Sequence, residues 1–76
     1  MRKQRNVYDS PVDALIAVTK RLSIFETRYE KISEDFFNDY NQGQLEDTAD
    51  FVEWSNTYKH FVAIRHEIDN RLQYVA

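Results

Sequence analysis

Residues 15–32 read LIAVTKRLSIFETRYEKI, and the apolar residues in this stretch decide the fold. Leu15, Val18, Leu22, Phe25, Tyr29 and Ile32 recur at spacings of 3, 4, 3, 4 and 3. A right-handed α-helix turns once every 3.6 residues, so this spacing places all six side chains on one stripe. Val12, Ala14 and Ile16 widen the stripe near its start. Upstream, Ser10-Pro11 supplies a helix start: the serine oxygen can accept from an orphan N–H, and proline at the first helical position loses nothing by lacking its own. Asp13 stands three residues after Ser10, in the place a capping box gives an acid, and suits the positive helix end. The spacing predicts a helix over about 11–30.

Moving toward the C-terminus, Ser33 followed by Glu34 and Asp35 reads as a second start, with Ile32 and Phe37 at the two positions of a hydrophobic staple. A short helix over about 34–41 would carry Phe36, Phe37 and Tyr40. No Gly or Pro stops the first helix before Tyr40, so the alternative is one continuous helix. Serine with two following acids suits a cap better than a helix interior, which predicts a break or sharp bend at 30–34.

Asn41-Gln42-Gly43-Gln44 is the clearest loop, with Gly43 free to adopt a positive φ after a helix end. Asp47 or Thr48 is the expected cap of the last helix. Phe51, Trp54, Tyr58, Phe61, Arg65, Ile68 and Leu72 then alternate at 3 and 4, and Ile64 can take the core place beside Arg65. This predicts a helix over about 47–73. The expected fold is therefore all-α: two long antiparallel helices joined by a short one, in a single domain over 10–76 preceded by a flexible basic arm over 1–9. Two long helices make a thin core, so completion by dimerisation or by a partner is expected.

Composition agrees and excludes much. The chain has 76 residues with one Gly, one Pro and no Cys. So little turn chemistry argues against a many-stranded β fold. Without cysteine there is no disulfide framework or thiolate zinc site. No apolar run approaches the roughly 20 residues of a membrane span, and Met1-Arg2-Lys3-Gln4-Arg5 leads into polar residues rather than a signal-peptide core, so a cytoplasmic location is expected. The net charge of −3 hides a strong asymmetry. Residues 1–31 hold Arg2, Lys3, Arg5, Lys20, Arg21, Arg28 and Lys31 against four acids. Residues 32–53 hold Glu34, Asp35, Asp39, Glu46, Asp47, Asp50 and Glu53 and no Lys or Arg. Such asymmetry bears on partners rather than on fold.

Candidate chemistry is sparse. His66 and Asp69 share a helix face, but they would offer a metal only two ligands, and no cofactor or metal is expected. Nucleophilic catalysis needs an activated Ser, Thr or Cys with an oxyanion donor, and nothing here resembles one. The carboxylates of the middle segment have nothing to desolvate one of them into a general acid. The order of short helix, turn and long helix is roughly that of a helix-turn-helix. Its reading helix, however, would begin with Asp47, Asp50 and Glu53, which repel phosphate. The chain is thus expected to be no enzyme, and nucleic acid is a lesser possibility through the basic arm and Lys20, Arg21 and Arg28.

The acidic middle also carries Phe36, Phe37, Tyr40, Leu45, Phe51 and Trp54. An ordinary amphipathic helix would turn these inward and its acids outward. The sharper expectation is that some of the aromatics anchor a partner with a basic surface while the acids steer it in.

The run through Asp13-Ala14-Leu15-Ile16, Lys20-Arg21-Leu22, Phe25-Glu26, Tyr29, Ser33-Glu34-Asp35-Phe36-Phe37, Tyr40, Gly43 and Asp50-Phe51-Val52-Glu53-Trp54 resembles a group of small bacterial and archaeal helical proteins regarded as antitoxin-like partners of small toxins. Members often show Gly-Met before the serine cap, where this chain has Lys31-Ile32. The resemblance implies a place in a toxin–antitoxin system and a neutralising, non-enzymatic role toward a basic protein. The expected partner-binding residues are Glu34, Asp35, Phe36, Phe37, Asp39, Tyr40, Asp47, Asp50, Phe51, Glu53 and Trp54. A self-assembling structural protein, built as a four-helix-bundle homodimer, is the alternative.

Overall fold

The computed structural model describes residues 10–75, with side chains as far as Leu72. The expected arm over 1–9 lies outside the described residues. Three helices follow in order, α1 at Pro11–Tyr29, α2 at Ser33–Asn41 and α3 at Ala49–Val75, with no strand among the described residues. α1 and α3 form the antiparallel pair: Tyr29 meets Phe51, Phe25 meets Trp54, and Arg21 meets Glu53. The short α2 packs on the end of this hairpin where the connections lie.

The start of α1 is as its residues foretell. Ser10 is extended, its Oγ accepts the Asp13 N–H at 3.2 Å, and Pro11 is the first helical residue. The end of α1 is a true break. Glu30 adopts a left-handed conformation (φ 53°, ψ 49°), and the N–H of Lys31 reaches the Glu26 carbonyl at 3.3 Å, the reverse-turn bond of a Schellman motif. Glycine usually holds such a position, and no glycine marks it here.

One expected cap is corrected, and the choice between two candidates for another is decided. Ser33 does not cap α2 but is its first helical residue, with extended Ile32 before it. The orphan Ser33 N–H is instead satisfied from α1, by the Glu26 carboxylate at 2.9 Å. This frees the Ser33 hydroxyl for the core and leaves Ile32 exposed rather than stapled to Phe37. At α3, Thr48 rather than Asp47 is the cap: its Oγ1 accepts from the Phe51 N–H at 3.1 Å, and the helix begins two residues later than the spacing predicts. Gly43 does take a positive φ of 76° in the connecting loop.

The core is built from Ala14, Val18, Leu22 and Phe25 of α1, Phe36 of α2, and Trp54 and Ile64 of α3. Ile64 fills the core place and Arg65 stays outside, its guanidinium 5.7 Å from the Phe61 ring. At the centre Trp54 is fully enclosed and Phe36 nearly so, at 0% and 1% exposure. The two rings stack with centroids 3.8 Å apart, and Phe25 and Tyr29 stack on Trp54 at 5.5 and 5.6 Å. Aromatic pairs of this kind add about 0.5–1.5 kcal/mol each beyond the area they bury. The indole N–H is not stranded, since it donates to Ser33 Oγ at 2.9 Å. Glu26, Ser33 and Trp54 thus tie one residue from each helix into one chain of hydrogen bonds.

Candidate interaction surface

The eleven residues expected to meet a partner separate into three groups. Phe36 and Trp54 are core residues and have no surface to offer. Their place in an acidic stretch reflects the inward face of an amphipathic helix, and as anchors for another protein they drop out. Phe37, Tyr40 and Phe51 are half-buried and packed around the core, with Phe37 against Tyr58 at 4.8 Å.

The second group is acids already matched within the chain. Arg21 Nη1 donates to Glu53 at 3.2 Å, Arg28 Nη1 to Asp50 at 2.9 Å, and Lys31 Nζ to Asp39 at 2.9 Å. The Tyr29 hydroxyl also donates to Asp50, at 2.5 Å, and the Tyr40 hydroxyl donates to Asp47 at 2.7 Å. The hydrogen bonds from Tyr29 and Arg28 hold the Asp50 carboxyl below its ordinary range. The same carboxylate raises the Tyr29 phenol, and Asp47 raises the Tyr40 phenol. The basic first third and the acidic middle are therefore one another's complement: antiparallel packing sets α1 bases beside α3 acids. Apart from the half-buried Lys31–Asp39 pair these contacts lie at the surface, where each contributes modestly and weakens with salt. Of the three α1 bases, Arg21 and Arg28 have acidic partners, and Lys20 has none among the described residues.

The third group is what remains. Glu34 and Asp35 in the first turn of α2 are exposed, with no base in ion-pair reach among the described residues, and Glu46 in the loop is the same. Glu34 and Asp35 lie on the side of α2 away from Phe36 and Tyr40, where Asn38 and Asn41 continue a face without bases.

Beside this acidic edge runs a groove of about 490 Å³ between α1 and α3, closed at one end by Ile32–Glu34. Leu22, Tyr58 and Phe61 form its apolar part, while Glu26 and Arg65 stand on its rim. Sequence reasoning missed it. The available signal was the mismatch between two long apolar stripes and a connecting helix too short to cover them. A second depression of about 560 Å³ lies on the other side of the hairpin, lined by Arg21, Val52, Asn56 and His60 among others. Among the described residues, no three His, Asp or Glu side chains come together as a metal site would require, and no helix is long and apolar enough to cross a membrane.

Comparison with models of known protein families, with curated proteins and with solved structures finds no significant match.

Proposed function

We propose that this protein is a non-enzymatic interaction module of antitoxin type, which binds and neutralises a basic partner protein in the cytoplasm. The observation that carries this reading is the residue of charge left after folding. Once Arg21, Arg28 and Lys31 have matched Glu53, Asp50 and Asp39, the acids Glu34, Asp35, Glu46 and Asp47 still face solvent with no ion-pair partner among the described residues. Exposed, unmatched charge steers encounter with an oppositely charged surface and sets the orientation of docking. The resemblance to antitoxin-like proteins supports the same reading. Phe37, half-buried and next to Glu34 around the helix, would supply the apolar part of the contact.

Co-expression with the product of the neighbouring gene tests the proposal. A complex is expected that forms at low salt, weakens as salt rises, and loses at least tenfold in affinity when Glu34 and Asp35 are both changed to Lys. Absence of any complex with a folded protein would overturn it.

A second reading rests on a different observation. Val12, Ile16 and Ile24 lie on the outer side of α1 and are each more than half exposed. They favour a self-assembling helical homodimer through α1. Sedimentation showing a monomer at every concentration would end that reading.

A further inference from the structure

α2 fills only half of the trough that α1 and α3 make. Its rings reach Phe51, Trp54 and Tyr58, and at nine residues it goes no farther along the pair. The apolar stripes continue past that point. Phe61 and Ile68 on α3 and Leu15 on α1 are partly buried, and Val62, one turn beyond Tyr58, is half exposed. The groove next to Ile32–Glu34 is the first part of this open half.

We propose that the open half receives a helix of the basic partner, an amphipathic one that sets an apolar side chain between Leu22 and Phe61 and a lysine or arginine beside Glu26 and Glu34. The inference rests on the basic-partner reading above and adds where that partner seats. A helix is the fitting occupant because the adjoining half of the same trough already holds one, α2. The charge of the rim selects a basic helix. Glu26 and Glu34 stand on the α2 side, and Glu34 makes no ion pair among the described residues. The opposing cation, Arg65, already lies over the Phe61 ring. A second copy of this chain would bring another net charge of −3 toward the same carboxylates, which disfavours it as the occupant.

The test uses the full chain and a designed helical peptide of Leu and Lys, with Leu at positions i, i+3, i+4 and i+7, followed by amide chemical shifts. A peptide of the same spacing in Leu and Glu is the control. The expected result is that the Leu/Lys peptide shifts Thr19, Ser23, Ile32, Glu34 and Arg65, that the Leu/Glu peptide does not, and that Ser23→Trp weakens binding at least tenfold. Ser23 and Thr19 are exposed, so Thr19→Arg serves as a second blocking variant, with far-UV circular dichroism confirming that both fold. Shifts centred instead on Asp35 and Glu46, unchanged by Ser23→Trp, would overturn the seat while leaving the basic-partner reading standing. No binding of the Leu/Lys peptide at all would overturn both. Shifts of the groove residues on raising the concentration of the protein alone would assign the groove to a second copy and overturn the proposal.

Discussion

The Phe36 ring lies flat on the Trp54 indole, with centroids 3.8 Å apart and planes 3° from parallel. This stack is the buried centre of the contact between α2 and the hairpin, and both rings are shut away from water. Phe36→Ala removes the stack and leaves a cavity at the point where all three helices meet. Truncating a buried Phe costs about 3–5 kcal/mol, a large share of the stability of so small a domain. Urea titration followed by far-UV circular dichroism should show the midpoint collapse or no folded baseline at all. Phe36→Leu should fall between that variant and the native chain.

Ser33→Ala strands the Trp54 N–H inside the core. An unsatisfied buried donor costs about 1–3 kcal/mol. In the Trp54→Phe background the same serine change should cost much less, because the donor is already gone. A double-mutant cycle on the urea midpoints reads this coupling directly, and additive effects would show that the hydrogen bond contributes nothing.

Glu30 holds a left-handed conformation without being glycine. Glu30→Gly should stabilise the protein by about 1 kcal/mol, since a Cβ is disfavoured there by about that much. Glu30→Val should destabilise it. Thermal melting under identical conditions distinguishes the three chains.

Stability should be flat through neutral pH and fall at both ends. Asp50 has its folded pKa lowered, first by the Tyr29 hydrogen bond and then by Arg28. Its contribution is present above the ordinary carboxylate value of 3.8 and is lost as pH falls through the lowered folded value. Tyr29 and Tyr40 are raised above 10.0 by hydrogen bonds to Asp50 and Asp47. Their contribution is complete below that value and is lost as pH rises through the raised folded values. Urea midpoints across pH should show a shallower acid limb for Asp50→Asn and a shallower alkaline limb for Tyr40→Phe. The native shape in either variant would show that its hydrogen bond does not form in solution.

The helices were legible because their apolar spacing is regular and their starts carry Ser10-Pro11 and Thr48. The break after Tyr29 was legible only through the polar run at Ser33–Asp35, since the residue that makes the turn, Glu30, has no turn signature of its own. The cap at Ser33 misled because its partner is remote: the Glu26 carboxylate comes from the preceding helix, and a local pattern cannot show it. The site was less legible than the fold. Counting charges revealed the acidic middle but not which acids would be matched. That depends on the register of α1 against α3, fixed by the Phe25–Trp54 and Tyr29–Phe51 contacts. For the same reason Phe36 and Trp54 looked like anchors in the sequence and are the centre of the core in the fold.

The left-handed turn at Glu30 has a topological consequence. Were Glu30 to return to the right-handed region and extended Ile32 to turn helical with it, α1 and α2 would merge into a single rod from Pro11 to Asn41. The rod would then reach about 18 Å past the present end of α1, carrying Phe36 off its own Trp54. The uncovered indole and the displaced phenylalanine of two such chains are mutual substitutes. A three-residue hinge, Glu30–Ile32, with no glycine to favour the bent form thus gives this fold a built-in route to reciprocal domain exchange, in which each chain completes the core of the other.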